Sequence, residues 1–303
     1  MPAPIRKASF TLDSPRGGGL IDGDVRFPEG ADEPLPAIVF CHGFKGFKNW
    51  GPFPAWGRFL AEAGFASVLF NFSYNGVAAE APTEFTELEK FEKNTFTREL
   101  DDLAAVIGAA ASGHLPGPAL DVAAESADES GRLGLMGHSR GGGTAILHAA
   151  RSGRVRALVT WSAVSGFIER FRPEQISDWK EHGYTEVVNS RTGQTMRLGR
   201  VLYDDAQAHR DQLDVVGAAS QVDVPWLIVH AGDDESVPFS EAQALLEASP
   251  NADFEEADDG HTFGGAHPFE GNGIDDVPPS LRRVWKRTRA FFADTLLADP
   301  PGR

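Results

Sequence analysis

The stretch Leu133-Gly134-Leu135-Met136-Gly137-His138-Ser139-Arg140-Gly141-Gly142-Gly143-Thr144 decides how the rest of this chain is read. A short apolar run ends in Gly-x-Ser-x-Gly, and a helix-like segment, residues 144–150, follows it. That is the layout of a strained strand-to-helix turn that lifts a serine hydroxyl above the end of a sheet. The glycines flanking the Ser139 turn are required because side chains there would collide with the neighbouring strand and helix. A helix opening just after Ser139 also offers free N–H groups and positive dipole character to a developing oxyanion. With 33 glycines in the chain, such a pattern arises by chance on the order of 0.2 times, so the alternative is a glycine-rich loop with an incidental serine. Context decides between them.

Working outward, residues 37–41, Ala-Ile-Val-Phe-Cys, form a continuous apolar run of the kind expected in a central strand covered on both faces. Residues 65–72, 133–136, 155–161 and 225–230 read as further buried strands, and residues 252–256 as a short one. Helices are predicted over 54–63, 95–111, 240–248 and 279–297, the second with an apolar face at Leu100, Leu103, Val106 and Ile107. Residues 6–12 and 20–27 read as an N-terminal hairpin, while 75–93 and 112–130 read as loops. Strands alternating with helices predict an α/β architecture with a mostly parallel central sheet and right-handed crossovers. In such sheets, sites form at the carboxyl ends of the strands.

Three strand ends carry candidate chemistry. After residue 41 comes His42-Gly43-Phe44-Lys45-Gly46, and after residue 136 comes Ser139. After residue 230 comes Gly232-Asp233-Asp234-Glu235-Ser236-Val237-Pro238, and beyond the last short strand lies Gly260-His261-Thr262-Phe263. The order Ser, Asp, His is that of the α/β-hydrolases. On these residues, together with His267-Pro268-Phe269, the chain resembles the α/β-hydrolase superfamily over roughly residues 35–165 and 222–295. It is similar in particular to the dienelactone-hydrolase-like and acyl-thioester-hydrolase (bile acid–CoA acyltransferase C-terminal)-like branch. Dienelactone hydrolases proper carry a cysteine where this chain has Ser139. The resemblance implies an α/β-hydrolase fold, a serine nucleophile and no cofactor.

An unassisted serine hydroxyl is a poor nucleophile near neutral pH, so Ser139 needs a base. His261 is the preferred one, with His138, His148 and His267 as rivals; His138 adjoins the serine and is expected to point elsewhere. Asp233 and Asp234 both qualify as the acid that orients the histidine, and the family pattern, which counts back from the Val-Pro pair, selects Asp234. Asp258 and Asp259 read as a solvated turn. The backbone N–H groups of Phe44 and Arg140 are the expected oxyanion donors. Cys41, the sole cysteine, reads as a buried structural thiol.

Residues 165–220 break the strand–helix rhythm and read as a lid over the site, dividing the chain into a catalytic domain (1–164 and 221–303) and an insertion. The lid contains Phe167, Phe171, Trp179, Tyr184 and Tyr203, with a β-hairpin expected around the turn at 190–193. Trp179 and Tyr184, with Lys45 from the oxyanion loop, are the candidate substrate contacts. Lys45, Lys48 and Arg140 together are cations that a substrate carboxylate or phosphate could meet, unless the lysines merely solvate a loop.

Composition narrows the rest. The chain has 303 residues, 41% of them hydrophobic, enough for a full core. A net charge of −16, from 28 basic and 44 acidic residues, disfavours nucleic acid as a partner. One cysteine allows no internal disulfide, and no apolar run has the length of a membrane span or of a signal-peptide core, so the expectation is a cytoplasmic protein. No His/Cys/carboxylate cluster has metal-ligand spacing. The expected partner is a small-molecule ester or thioester, and a homodimer is compatible with the sequence. The leading expectation is a serine esterase; the alternatives are a prolyl-oligopeptidase-like serine peptidase and a non-catalytic binding protein on the same fold.

Overall fold

A computed structural model describes residues 3–124 and 131–298. The predicted loop at 112–130 therefore lies partly outside the described residues. The chain opens with the expected hairpin, β1 (Ile5–Asp13) antiparallel to β2 (Leu20–Pro28). Then follow β3 (Ala37–Cys41), α1 (Phe53–Ala61) and β4 (Ala66–Asn71), with every residue of both strands buried. Next come α2 (Leu88–Glu92) and α3 (Phe96–Ala111). Thr95 caps α3, its hydroxyl accepting the N–H of Arg98 at 3.2 Å. The central motif is β5 (Leu133–His138), α4 (Arg140–Ala149) and β6 (Val155–Trp161).

Residues 165–220 carry a 3₁₀ turn (Ile168–Arg170), α5 (Pro173–His182), β7 (Tyr184–Val188), β8 (Thr195–Gly199), α6 (Arg200–Ala208) and α7 (Val215–Ala219). The chain then returns through β9 (Trp226–Ala231), α8 (Phe239–Ala248), β10 (Asp253–Ala257), a 3₁₀ turn (Gly260–Thr262) and α9 (Pro279–Leu296).

Eight strands form one sheet in the order β1-β2-β4-β3-β5-β6-β9-β10. The six from β4 to β10 are parallel to one another, and β2 joins β4 antiparallel. Side chains of the central strands alternate between two apolar layers, as strand pleating requires. Ile38 and Phe40 pack with α1 and α9; Val39 and Cys41 pack with α3, α4, α7 and α8. The first layer centres on Trp56, whose ring lies 5.1 Å from that of Trp161 and 5.4 Å from that of Trp285, all three fully buried.

One feature departs from the sequence reading. The expected polar loop at 75–93 contains α2 and a bridge between Val77 and Phe85. Val77, Phe85 and Phe91 are buried, and these scattered apolar residues anchor a stretch whose average composition is polar. The insertion holds the expected hairpin, β7 antiparallel to β8 with Tyr184 opposite Gly199, but it has no apolar core of its own. Phe167, Trp179, Met196, Leu198 and Leu202 belong to the same apolar cluster as α3 and α4. The parallel strands β3, β5 and β9 all end along one edge of the sheet, where residues 42–46, Ser139 and Asp234 follow them.

Candidate active site

Ser139 sits between β5 and α4 at φ 57° and ψ −124°, a backbone conformation that L residues rarely adopt. Neighbouring groups hold it there. Its N–H donates to the Trp161 carbonyl at 2.8 Å, and its own carbonyl accepts the N–H groups of Gly142 at 2.9 Å and Val164 at 3.3 Å. A methyl group on Gly137 would overlap the carbonyl oxygen of Gly141, and one on Gly141 would overlap the carbonyl oxygens of Cys41 and His42. The two glycines are thus forced by close backbone approach on both sides of the turn. Gly43 is forced for a related reason, since a methyl there would stand 2.8 Å from Cβ of Ser139. The loop after β3 therefore passes directly against the serine.

The acidic pair after β9 divides its work. Asp234 accepts Nδ1 of His261 on Oδ2 at 2.8 Å, while its Oδ1 accepts the N–H groups of Ser236 and Val237, each at 2.8 Å. Asp233 instead accepts the N–H of Gly260 at 3.0 Å. Burial pushes the Asp234 carboxyl up, but the bond and charge of His261 and the two backbone donors outweigh it and bring it down to about 2. With Nδ1 committed to the carboxylate, Nε2 of His261 is the ring nitrogen left to accept a proton. His261 and Ser139 line the same two cavities.

None of the three rival histidines bonds a carboxylate among the described residues, although His138 and His267 line the second cavity. His138 does not point away from the site, as the sequence suggests; its ring lies 4.7 Å from that of His261, and its Nε2–H donates to the His261 carbonyl at 2.9 Å. Burial, and then the His261 charge, push His138 down to about 3, so it stays neutral where it lines the second cavity. His148 is largely buried on α4 and held near 4 by burial and two nearby arginines. His267 accepts the N–H of Gly51 on Nδ1 at 2.8 Å, which leaves its proton on Nε2.

Each cavity holds about 370 Å³. Phe44, Phe96, Phe167 and Phe171 line the first with Val164, Leu198 and Leu202, and Arg170 and Gln175 stand at its polar side. Arg140 borders it too, but its guanidinium is bound to the buried Glu99 at 2.6 Å and lies 4.7 Å over the Phe44 ring. The second is lined by Trp50, Phe53, His138, Asn189, Arg191 and His267, and Phe44 and Lys45 border both. A third hollow, about 580 Å³, lies beyond Arg170 among ion-paired side chains and includes neither Ser139 nor His261.

Three expected substrate or anion contacts need correction. Trp179 is fully buried; its Nε1 donates to the Leu198 carbonyl at 2.8 Å, and its ring packs on Phe171 and Tyr203. Tyr184 lines neither cavity and stacks instead under Arg197, 3.9 Å from the guanidinium carbon. Lys48 is buried and binds Asp22 at 3.2 Å and Asp24 at 3.1 Å, so it faces no ligand. Phe167 and Phe171 reach the site from the insertion instead. Phe96 and Glu99, on α3, carry no sequence signal that would set them apart from other helix residues. Cys41 is fully buried, and burial lifts its thiol well above the ordinary value.

No protein-family profile matches the chain. Two Escherichia coli proteins, each described as an uncharacterized 31.7 kDa protein in the traX-finO intergenic region, are 26% identical to it over 271 residues. The match takes in 78% of this chain and 86% of theirs. Among solved structures, Est1E of Butyrivibrio proteoclasticus with ferulic acid bound superposes with a TM-score of 0.67 at 18% identity, covering 95% of this chain and 100% of that one. The α/β hydrolase GrgF of Penicillium sp. sh18 gives 0.66 at 16%, covering 97% and 100%. An esterase domain from a Rhodothermus marinus protein gives 0.58 at 17%, covering 95% and 99%. Sheet order, elbow and superposition agree: the chain has the α/β-hydrolase fold.

Proposed function

We propose that the protein is a serine hydrolase that cleaves carboxylic esters through an acyl-enzyme on Ser139. One observation carries the reading: the Asp234–His261 hydrogen bond of 2.8 Å borders the cavity that a positive-φ serine also lines. Strain of that kind persists where surrounding structure enforces it, and it clusters at reacting groups. The fold shared with structures named as hydrolases and esterases supports hydrolysis as the reaction class.

In this reading the Ser139 hydroxyl adds to the ester carbonyl carbon as its proton passes to Nε2 of His261. The Asp234 carboxylate holds the imidazole in the required tautomer and stabilises the imidazolium that forms. The oxyanion is met by the N–H groups of Phe44 and of Arg140. Arg140 is the first residue of α4, so its N–H has no partner within the helix. Each such donor contributes about 2.7–4 kcal/mol to the transition state. His261 then returns the proton to the departing alkoxide, and water repeats the sequence on the acyl-enzyme to release the acid. The aromatic cavity fits an apolar arm of the substrate. A thioester would follow the same course, with a thiolate as the leaving group.

Hydrolysis of a neutral p-nitrophenyl ester series by wild type and by Ser139→Ala tests the proposal. Turnover by the wild type that vanishes in Ser139→Ala, with the fold retained by circular dichroism, supports it. Equal rates in the two proteins overturn it.

A further inference from the structure

The second cavity carries cations that no acid answers. Arg191, in the turn between β7 and β8, and Lys45, on the loop after β3, both line it beside Ser139. Neither is within ion-pair distance of a carboxylate among the described residues, whereas Arg140 is bound to Glu99, and Lys48 to Asp22 and Asp24. Lys45 donates one proton to the Val188 carbonyl at 3.1 Å, and the Arg191 guanidinium rests 5.6 Å from the Phe47 ring. No Asp or Glu lines this cavity, in a chain whose net charge is −16.

Two neutral donors complete the set. Asn189 is only 4% exposed and lines the cavity, yet its Nδ2 has no hydrogen-bond partner. An unanswered buried amide costs free energy unless a ligand completes it. The Nδ1 of His267 is occupied by Gly51, which leaves Nε2–H as a donor. Burial, followed by the nearby Arg191 charge, holds Lys45 and His267 below their ordinary values, as expected of cations crowded together without a counter-ion.

We propose that this cavity is an anion subsite in which Arg191, Lys45, Asn189 Nδ2 and His267 Nε2–H bind a carboxylate or phosphate carried on one arm of the ester. The inference rests on ester cleavage at Ser139 for the word substrate, but the binding itself can be measured apart from turnover. The two cavities meet at Ser139 and His261, so an ester straddling the serine places an apolar arm among the phenylalanines and a charged arm beside Arg191. Charge-assisted hydrogen bonds in such a half-buried site are roughly twice as strong as neutral ones.

Calorimetric titration of the wild type with benzoate, phenyl phosphate and neutral benzyl alcohol tests the subsite. The expected result is that one of the two anions binds at least about tenfold more tightly than the alcohol. The preference weakens in 0.5 M salt, falls about tenfold in Arg191→Gln and is largely retained in Arg191→Lys. Whichever probe shows this behaviour identifies the anion as carboxylate or phosphate. Equal binding of anion and alcohol, or undiminished anion binding in Arg191→Gln, overturns the proposal. In parallel, kcat/KM for mono-phenyl succinate over phenyl butyrate, and for 4-acetoxybenzoate over phenyl acetate, reads which arm carries the charge. Anion binding lost in Arg191→Gln without any ester turnover would leave the subsite standing and remove the hydrolase reading. Neutral-ester turnover with no anion preference in either assay would do the reverse.

Discussion

Asp234 and His261, 27 residues apart, share a 2.8 Å hydrogen bond, while Asp233, the immediate neighbour, turns to the backbone N–H of Gly260. Two adjacent carboxylates thus have separate tasks, one on the imidazole and one on the loop that carries it. Asp234→Asn should lower kcat for a p-nitrophenyl ester by about 10⁴-fold, because the amide favours the wrong imidazole tautomer. Asp233→Asn should lower it less than about tenfold, since only one loop hydrogen bond is weakened. Steady-state kinetics on the two variants check the assignment, and equal losses would contradict it.

The pH dependence of stability follows chiefly from His42, His138, His148 and His230, histidines that burial holds below their ordinary value. His42 donates through Nδ1 to the Gly43 carbonyl at 2.9 Å, and its Nε2 faces the N–H of Phe72 at 3.4 Å, an arrangement that requires the neutral ring. Burial above all holds His42 and His148 near 4 and His138 near 3. Between about pH 6.5 and 4 the unfolded chain takes up protons that the native state refuses, so stability rises with pH across that window. Asp234, held near 2, adds stability above about pH 4 that is lost as pH falls through 2. Urea midpoints should therefore decline steadily from pH 7 to pH 4; a flat profile over that range would contradict the burial of neutral imidazoles.

The glycines after Ser139 should differ sharply in their tolerance of a methyl group. At Gly141 the new group meets fixed backbone carbonyls, so Gly141→Ala should cost about 1–3 kcal/mol or more and abolish activity by moving the serine. At Gly143 it meets the side chains of Val164 at 2.9 Å and Phe167 at 3.0 Å, which can shift. Gly143→Ala should retain the fold and alter substrate preference more than thermal stability. Melting temperatures and ester kinetics on both variants read the difference.

In the insertion, stability and selectivity should separate. Trp179→Ala removes a fully buried ring and its bond to Leu198, and should cost about 3–5 kcal/mol. Phe171→Ala opens the aromatic cavity and should shift preference between short and long acyl esters with a smaller loss of stability. Denaturant unfolding beside an acyl-chain series measures both effects.

The parallel sheet is legible in the sequence because its central strands are covered on both faces and read as unbroken apolar runs, residues 37–41 being the clearest. Ser139, the Asp233–Asp234 pair and His261 stand out as candidates because each follows a strand end. Position leaves the two aspartates equal, and only the family pattern and then the 2.8 Å bond to His261 separate Asp234 from Asp233. Trp179 and Tyr184 mislead because an aromatic residue in an insertion can face inward or outward, and only packing against Tyr203 or Arg197 decides which. Lys48 misleads in the same way, since it lies in the loop after β3 and its partners Asp22 and Asp24 lie on β2. The pairing of Arg140 with Glu99 is equally non-local, and no spacing along the chain announces it.

The proposed chemistry requires Ser139 as its nucleophile. Incubation with a fluorophosphonate, followed by intact-mass and peptide mass spectrometry, measures this most directly. The expected result is a single adduct located on Ser139, absent from Ser139→Ala and greatly slowed in His261→Ala, with ester turnover lost in proportion to labelling. Full ester turnover by protein whose Ser139 is quantitatively labelled, or labelling of Ser139→Ala at the wild-type rate, would contradict it.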